Sequence, residues 1–212
     1  SGLEVWNFLA LTAQERERAL SLIRASKEIE YFEPDFPVRM HDLPNDPLLD
    51  ELWGLNNTGQ IGGSVDADID IDRAWALTSG SEDIVVAVID TGIALDHPDL
   101  RDNLWVNEDE IPSNGRDDDG NGYVDDVHGY DFSNNDSDPT DDGSHGTHVA
   151  GTIGAVAGNA LGIVGVSPQV SLMALKIFPN AYRSTIVEAI EYAVNNGAHI
   201  TNNSYGCGSA CT

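Results

Sequence analysis

Apolar and polar positions alternate over LEVWNFLAL (3–11), the pattern of a short strand. TAQERERALSLIRAS (12–26) follows with Thr12 at a helix cap and Glu15 three residues on, the spacing of a capping box. Ala19, Leu22 and Ile23 give that helix one apolar face. A second short strand, EIEYFEP (28–34), stops at Pro34 and Pro37, so residues 1–40 read as a small α+β piece. RMHDLPNDP (39–47) is rich in Pro and Asp, and a domain boundary is placed there, with 41–45 as the connecting region.

From Asp46 the pattern changes. DIDIDRAWAL (68–77) predicts a surface turn leading into a short helix. DIVVAVID (83–90) is a nearly unbroken apolar run, the mark of a parallel strand buried on both faces. HGTHVAGTIGAV (145–156) fits a helix packed through small residues, and VSLMALKIF (170–178) a second buried strand. STIVEAIEYAVNNG (184–197) is amphipathic, with Ser184 as its cap and Gly197 as its stop, and AHITNNSYG (198–206) begins another strand. This alternation predicts an α/β domain with a parallel sheet over 46–212. The segment 102–142 is a long insert of Asp, Asn and Gly with few core residues; a loop of that length in a compact domain is functional or held by something.

Charge narrows the function. With 36 acidic and 10 basic residues the formal net charge is −26, which repels nucleic-acid phosphates and suits cations. No apolar run reaches the roughly 18 residues of a membrane span, and the first residues lack the basic and apolar pattern of a signal peptide. Cys207 and Cys211 are spaced for a local disulfide, which an extracellular setting favours.

Two residues carry the candidate chemistry. Asp90 ends a buried strand, where α/β folds place their sites, and His145 opens a helix of small residues. An imidazole backed by a buried carboxylate is the base and its orienting group in serine-type hydrolysis. VAVIDTGI (86–93), DHPDL (96–100), GSHGTHVAGT (143–152), GIVGVSP (162–168), SLMALKIF (171–178) and ITNNSYG (200–206) occur in the order of the subtilases, and from about Asn45 onward the chain resembles that family of serine proteases. The resemblance implies a doubly wound, subtilisin-like α/β fold, secretion and peptide hydrolysis. It assigns Asp90 and His145 to a triad, makes His148 structural, and lets Ser204, Tyr205 and Gly206 pair with an extended substrate. The family's G-T-S-x-A block, which supplies the nucleophile, and its later oxyanion-hole Asn do not occur, so the chain reads as an inactive fragment of the enzyme. PNDPLLDELWGLNNTGQ (44–60) resembles the mature start of thermitase-like members. The residues before it then resemble the back half of their inhibitory propeptide, with cleavage near Met40–Pro44. FPNAYR (178–183) is shorter than the family's usual cleft wall.

Within the insert, RDDDGNGYVDD (116–126) sets oxygen ligands at alternate positions: Asp117, Asp119, Asn121, the Tyr123 carbonyl, then Asp125 or Asp126. Gly122 falls where an EF-hand loop turns, but His128 stands in place of the closing Glu, so one ligand comes from elsewhere. Calcium is the expected ion. The resemblance implies a second calcium held by Asp46, Asp99 and Asn159 with the carbonyls of Val156, Leu161 and Ile163. Two rivals remain: a non-catalytic, calcium-stabilised binding or inhibitory module derived from a subtilase, and a metallohydrolase using His145, His148 and Asp90, which lacks the glutamate of H-E-x-x-H.

Overall fold

A computed structural model describes residues 11–29 and 43–206, in two compact units that divide between Met40 and His41. In the first unit, helix α1 (Ala13–Ala25) starts at the expected capping box. The Glu15 N–H donates to the Thr12 hydroxyl at 3.3 Å, and the Thr12 N–H donates to the Glu15 carboxylate at 2.9 Å. Ile23 is its buried residue, while Leu22 is exposed. The strands expected at 3–11 and 28–34 lie outside the described residues except at Leu11, Glu28 and Ile29, which are not in strands.

The second unit is built on a four-stranded parallel sheet. Its strands are β1 (Gly80–Asp90), β2 (Gly129–Asp131), β3 (Gln169–Lys176) and β4 (Ile200–Asn202), in the order β2-β3-β1-β4. Side chains alternate across a strand, so the apolar run of β1 serves both faces. Val86 and Val88, with Leu172 and Ala174 of β3, face Ala150 of α3 (His145–Gly154) and the buried Ile93 and Leu100. Ala87 and Ile89, with Met173 and Leu175, pack with Ala189, Tyr192 and Ala193 of α4 (Arg183–Asn195). The flanking helices and parallel sheet are those of the α/β class the sequence predicts. The turn and helix expected at 68–77 form as α2 (Ile71–Trp75).

Three details differ from the expectation. The insert contributes β2, paired with Ala174–Lys176 of β3; three residues are too few to show a period in sequence. Helix α4 begins at Arg183 with Tyr182 at its N-cap and no side-chain capping bond, so Ser184 lies inside the first turn. The last strand is confined to 200–202, paired with Val86–Val88, and residues 203–206 continue outside it. Gly197 does stop α4. At φ +80° its N–H bonds the Val194 carbonyl, and the Ala198 N–H bonds the Ala193 carbonyl at 2.8 Å, a Schellman pair. No helix among the described residues is long and apolar enough to cross a membrane.

Gly129 marks the tightest contact in the sheet. Its φ is +121°, and a Cβ there would lie 1.9 Å from the Ala174 carbonyl oxygen. Gly129→Ala is therefore expected to destabilise the unit by about 2 kcal/mol or more, read as a lower urea midpoint at unchanged slope.

Candidate active site

Asp90 closes β1 and is 1% exposed, whereas the His145 side chain, first in α3, is 57% exposed. His145 Nδ1 lies 2.7 Å from Asp90 Oδ1, which also accepts the Thr91 N–H at 2.7 Å. The approach depends on glycines. A Cβ at Gly146 would meet the Gly92 carbonyl oxygen at 2.2 Å and Asp90 Cβ at 3.1 Å, so only glycine lets the first turn of α3 close on the strand end.

Ser144, the N-cap of α3, makes no side-chain capping bond. Asp141 does that work instead. Its carboxylate accepts the N–H groups of Gly143, Ser144 and Thr147 at 2.7, 2.9 and 2.9 Å, and the Thr147 hydroxyl at 2.5 Å. Thr91 Oγ1 accepts the Gly146 N–H at 2.8 Å, tying the same turn to β1. The sequence reading missed Asp141 and Thr91, because a capping role from a preceding loop has no fixed spacing.

An ionised carboxylate only accepts hydrogen bonds, so Nδ1 of His145 carries the proton and Nε2 keeps its lone pair. The hydrogen bond and the charge of Asp90 raise the His145 pKa above the ordinary histidine value. The arrangement is that of a solvent-accessible general base with an orienting carboxylate. Ser204 and Gly206 are exposed and Tyr205 half-buried, in irregular chain just beyond β4. The Tyr205 ring meets Phe178 edge-on at 6.2 Å, and burial first, then Asp90, raises its phenol pKa.

The insert gathers a different set. Glu110, Asp119 and Asp126 bring carboxylate oxygens within 4.8 Å of one another, an acidic cluster able to hold a metal ion. Asn121 joins it through its side-chain amide, 3.0 Å from both Asp119 and Asp126, and Asn107 lies 3.0 Å from Asp119. Glu110 and Asn107 were not among the sequence candidates; they sit outside the periodic motif and are folded back onto it. Asp117 and Asp125 point elsewhere. The first accepts the amides of Gly120, Asn121 and Gly122, the second those of Asn114 and Gly115. Tyr123 lies in the aromatic cluster against Tyr130, Phe132 and Tyr192, and burial pushes its phenol up to about 12. Among the described residues this is the one group of three such ligands, so Asp90, His145 and His148 form no metal triad.

The residues of the second predicted metal set also come together. Asp99 Oδ1 accepts from the Asn159 amide at 2.8 Å and Oδ2 from the Ile163 N–H at 3.0 Å; the Asp99 carbonyl accepts the Val156 N–H. The Leu161 N–H is turned to Asn159 Oδ1. Asp46 accepts the Gly158 N–H through Oδ2, while its Oδ1 is buried without a partner. Cys207 and Cys211 lie outside the described residues, as do residues 40–42 of the cleavage region placed near Met40–Pro44.

Because the pKa of His145 is raised in the folded state, its contribution to stability is full below about pH 6.5 and is lost as pH climbs through the raised value. Asp90→Asn is expected to flatten that dependence. Urea midpoints at about pH 5 and about pH 9 should then converge relative to the parent chain.

Residues 81–211 match the Subtilase family. The chain is 36% identical over 165 residues to subtilisin-like protease 1 of Plasmodium berghei, covering 76% of this chain and 26% of that protein. It is 33% identical over 204 residues to the thermophilic serine proteinase of Bacillus sp. strain AK1, covering 94% of this chain and 43% of that protein. Among solved structures it is similar to the Aeromonas sobria serine protease in complex with its chaperone, at a TM-score of 0.61 and 26% identity, covering 78% of this chain and 26% of that one. The chain thus spans less than half the length of these relatives. Its matched residues include both members of the Asp90–His145 pair, and it belongs to the subtilase family.

Proposed function

We propose that this chain supplies the aspartate and histidine of a secreted, calcium-stabilised serine endopeptidase whose nucleophilic serine lies outside these 212 residues. The observation that carries the reading is the 2.7 Å bond between His145 and the buried Asp90 at the carboxyl end of a parallel sheet. His145 Nε2 takes the proton of the serine hydroxyl as it attacks the peptide carbonyl and later hands it to the leaving amine. Asp90 holds the tautomer and stabilises the imidazolium. The exposed backbone at Ser204, Tyr205 and Gly206 aligns an extended substrate by strand addition. Residues 1–40 act as part of an inhibitory propeptide, and processing falls near Met40–Pro44. The chain alone, without a serine in the required block, hydrolyses no peptide by this route.

Calcium serves the fold rather than the reaction. Glu110 and Asp126 are buried carboxylates beside Asp119, and repulsion among them favours a hard cation that takes oxygen ligands. Asn121 and the Tyr123 carbonyl complete the donor set, with Asp117 and Asp125 ordering the loop around it. Asp46 and Asp99 fit a second calcium: both are buried, and Asp46 Oδ1 lacks any hydrogen-bond donor. Asn159 and the carbonyls of Val156, Leu161 and Ile163 would complete it.

The test of the enzyme reading uses the gene product that contains this chain together with a downstream G-T-S-x-A block. His145→Ala is expected to lower kcat on a peptide substrate by about 10⁴-fold or more, and Asp90→Asn by about 10⁴-fold. Undiminished hydrolysis by the His145 variant would overturn it. A coding sequence with no such block would favour a calcium-stabilised binding module instead. For the ion, a chelator is expected to lower the melting temperature by on the order of 5–10 °C, and Glu110→Gln should remove part of that shift. An unchanged melting curve removes both calcium sites.

A further inference from the structure

Among the described residues Lys176 is the one buried basic side chain, and the proposed reaction gives it no role. It ends β3, in register with Asp90 of β1 on one side and Asp131 of β2 on the other. Neutralising Asp131 would be the ordinary explanation for a buried lysine, but the distances favour another partner. Asp131 is already met by the amides of Ser133 and Asn134 and by the Asn134 side chain, and it lies 3.6 Å from Nζ. Nζ is nearer to the Thr140 carbonyl, at 3.0 Å, and to the Asp142 carboxylate, at 3.2 Å. These two groups flank Asp141, the residue that caps α3. The segment is also threaded against the end of β1. The Ile93 N–H bonds Pro139 and the Asp141 N–H bonds Ile93, at 3.1 and 3.2 Å, and a Cβ on Gly92 would lie 2.4 Å from the Pro139 carbonyl oxygen.

We propose that Lys176 is a positioning residue for the Asp90–His145 pair: it clamps residues 140–142 so that Asp141 can hold the first turn of α3, and with it the His145 ring, against Asp90. The proposal rests on reading that pair as the base and its orienting carboxylate. The ammonium remains charged in place: burial works against it, but the Asp142 bond and the Asp131 charge outweigh burial and raise its pKa. The groups acting on His145 are Asp90 and, more weakly, Asp141.

Proton NMR titration of His145 in the 212-residue chain tests this, with the resonance assigned by its loss in His145→Gln. The parent chain should titrate above the ordinary value of about 6.5. Lys176→Met is expected to lower the midpoint by about 0.5 unit or more, towards that value, as the ring loses its hold on Asp90. Removing a positive charge by itself would act the other way and raise it, so the sign separates positioning from simple electrostatics. If Lys176→Met does not fold, Lys176→Met with Asp131→Asn removes both buried charges and is read in the same way. A midpoint that stays or rises in the folded variant overturns the role of Lys176 and leaves the base-pair reading standing. An ordinary midpoint in the parent chain removes both.

Discussion

Buried negative charge is the constraint around which this unit is organised. Among the described residues Asp46, Asp90, Asp99, Glu110, Asp126 and Asp131 are all buried, against a single buried ammonium. Leaving one such carboxylate unpaired costs several kcal/mol, so each needs a partner, and the partners map the chemistry. Asp90 has the His145 imidazole. Asp131 has Lys176 and two backbone amides. Glu110 with Asp126, and Asp46 with Asp99, have backbone and side-chain donors but, among the described residues, no cationic side chain in contact. Those two places are where the calcium reading falls, and the reason is the same desolvation argument that explains the histidine.

A second constraint is closeness. The sheet end, the loop at 139–143 and the first turn of α3 are packed so tightly that Gly92 and Gly146 have no room for a Cβ. The amides of the first turn of a helix have no intrahelical acceptor. Thr91, Asp141 and Thr147 supply the missing partners. The backbone of His145 is thus held against the end of β1, where its ring meets Asp90.

How much of this was legible in the sequence follows from the range of the forces involved. β1 and β3 could be read because an unbroken apolar run reports burial on both faces residue by residue. Asp90 and His145 stood out through the ordered sequence blocks around them, and the fold brings their side chains within hydrogen-bond distance. The capping box of α1 is local, and its spacing is enough. Glu110 was hidden because its role depends on a reversal of the chain that brings it under 116–126. β2 was hidden because three residues carry no period. Ser184 misled because a good capping residue two positions too late still looks like a cap; Tyr182 takes the place, and the helix start goes without a side-chain bond.

The insert at 102–142 looked in sequence like an acidic loop with little core, yet it is wired into the sheet at three levels. β2 adds a strand beside β3. Tyr123, Tyr130 and Phe132 meet one another edge-on, and Tyr123 and Phe132 meet Tyr192 of α4, at centroid distances of 4.7 to 5.7 Å. The Tyr192 hydroxyl, buried beneath them, donates to Asp126 at 2.5 Å. Burial, then that bond, raises the Tyr192 pKa, so the phenol keeps its proton and donates. Asp126 therefore joins the acidic cluster to the aromatic core of the α4 face. Because β3 ends at Lys176, beside Asp90, the acidic insert and the Asp90–His145 contact are supported by the same strand.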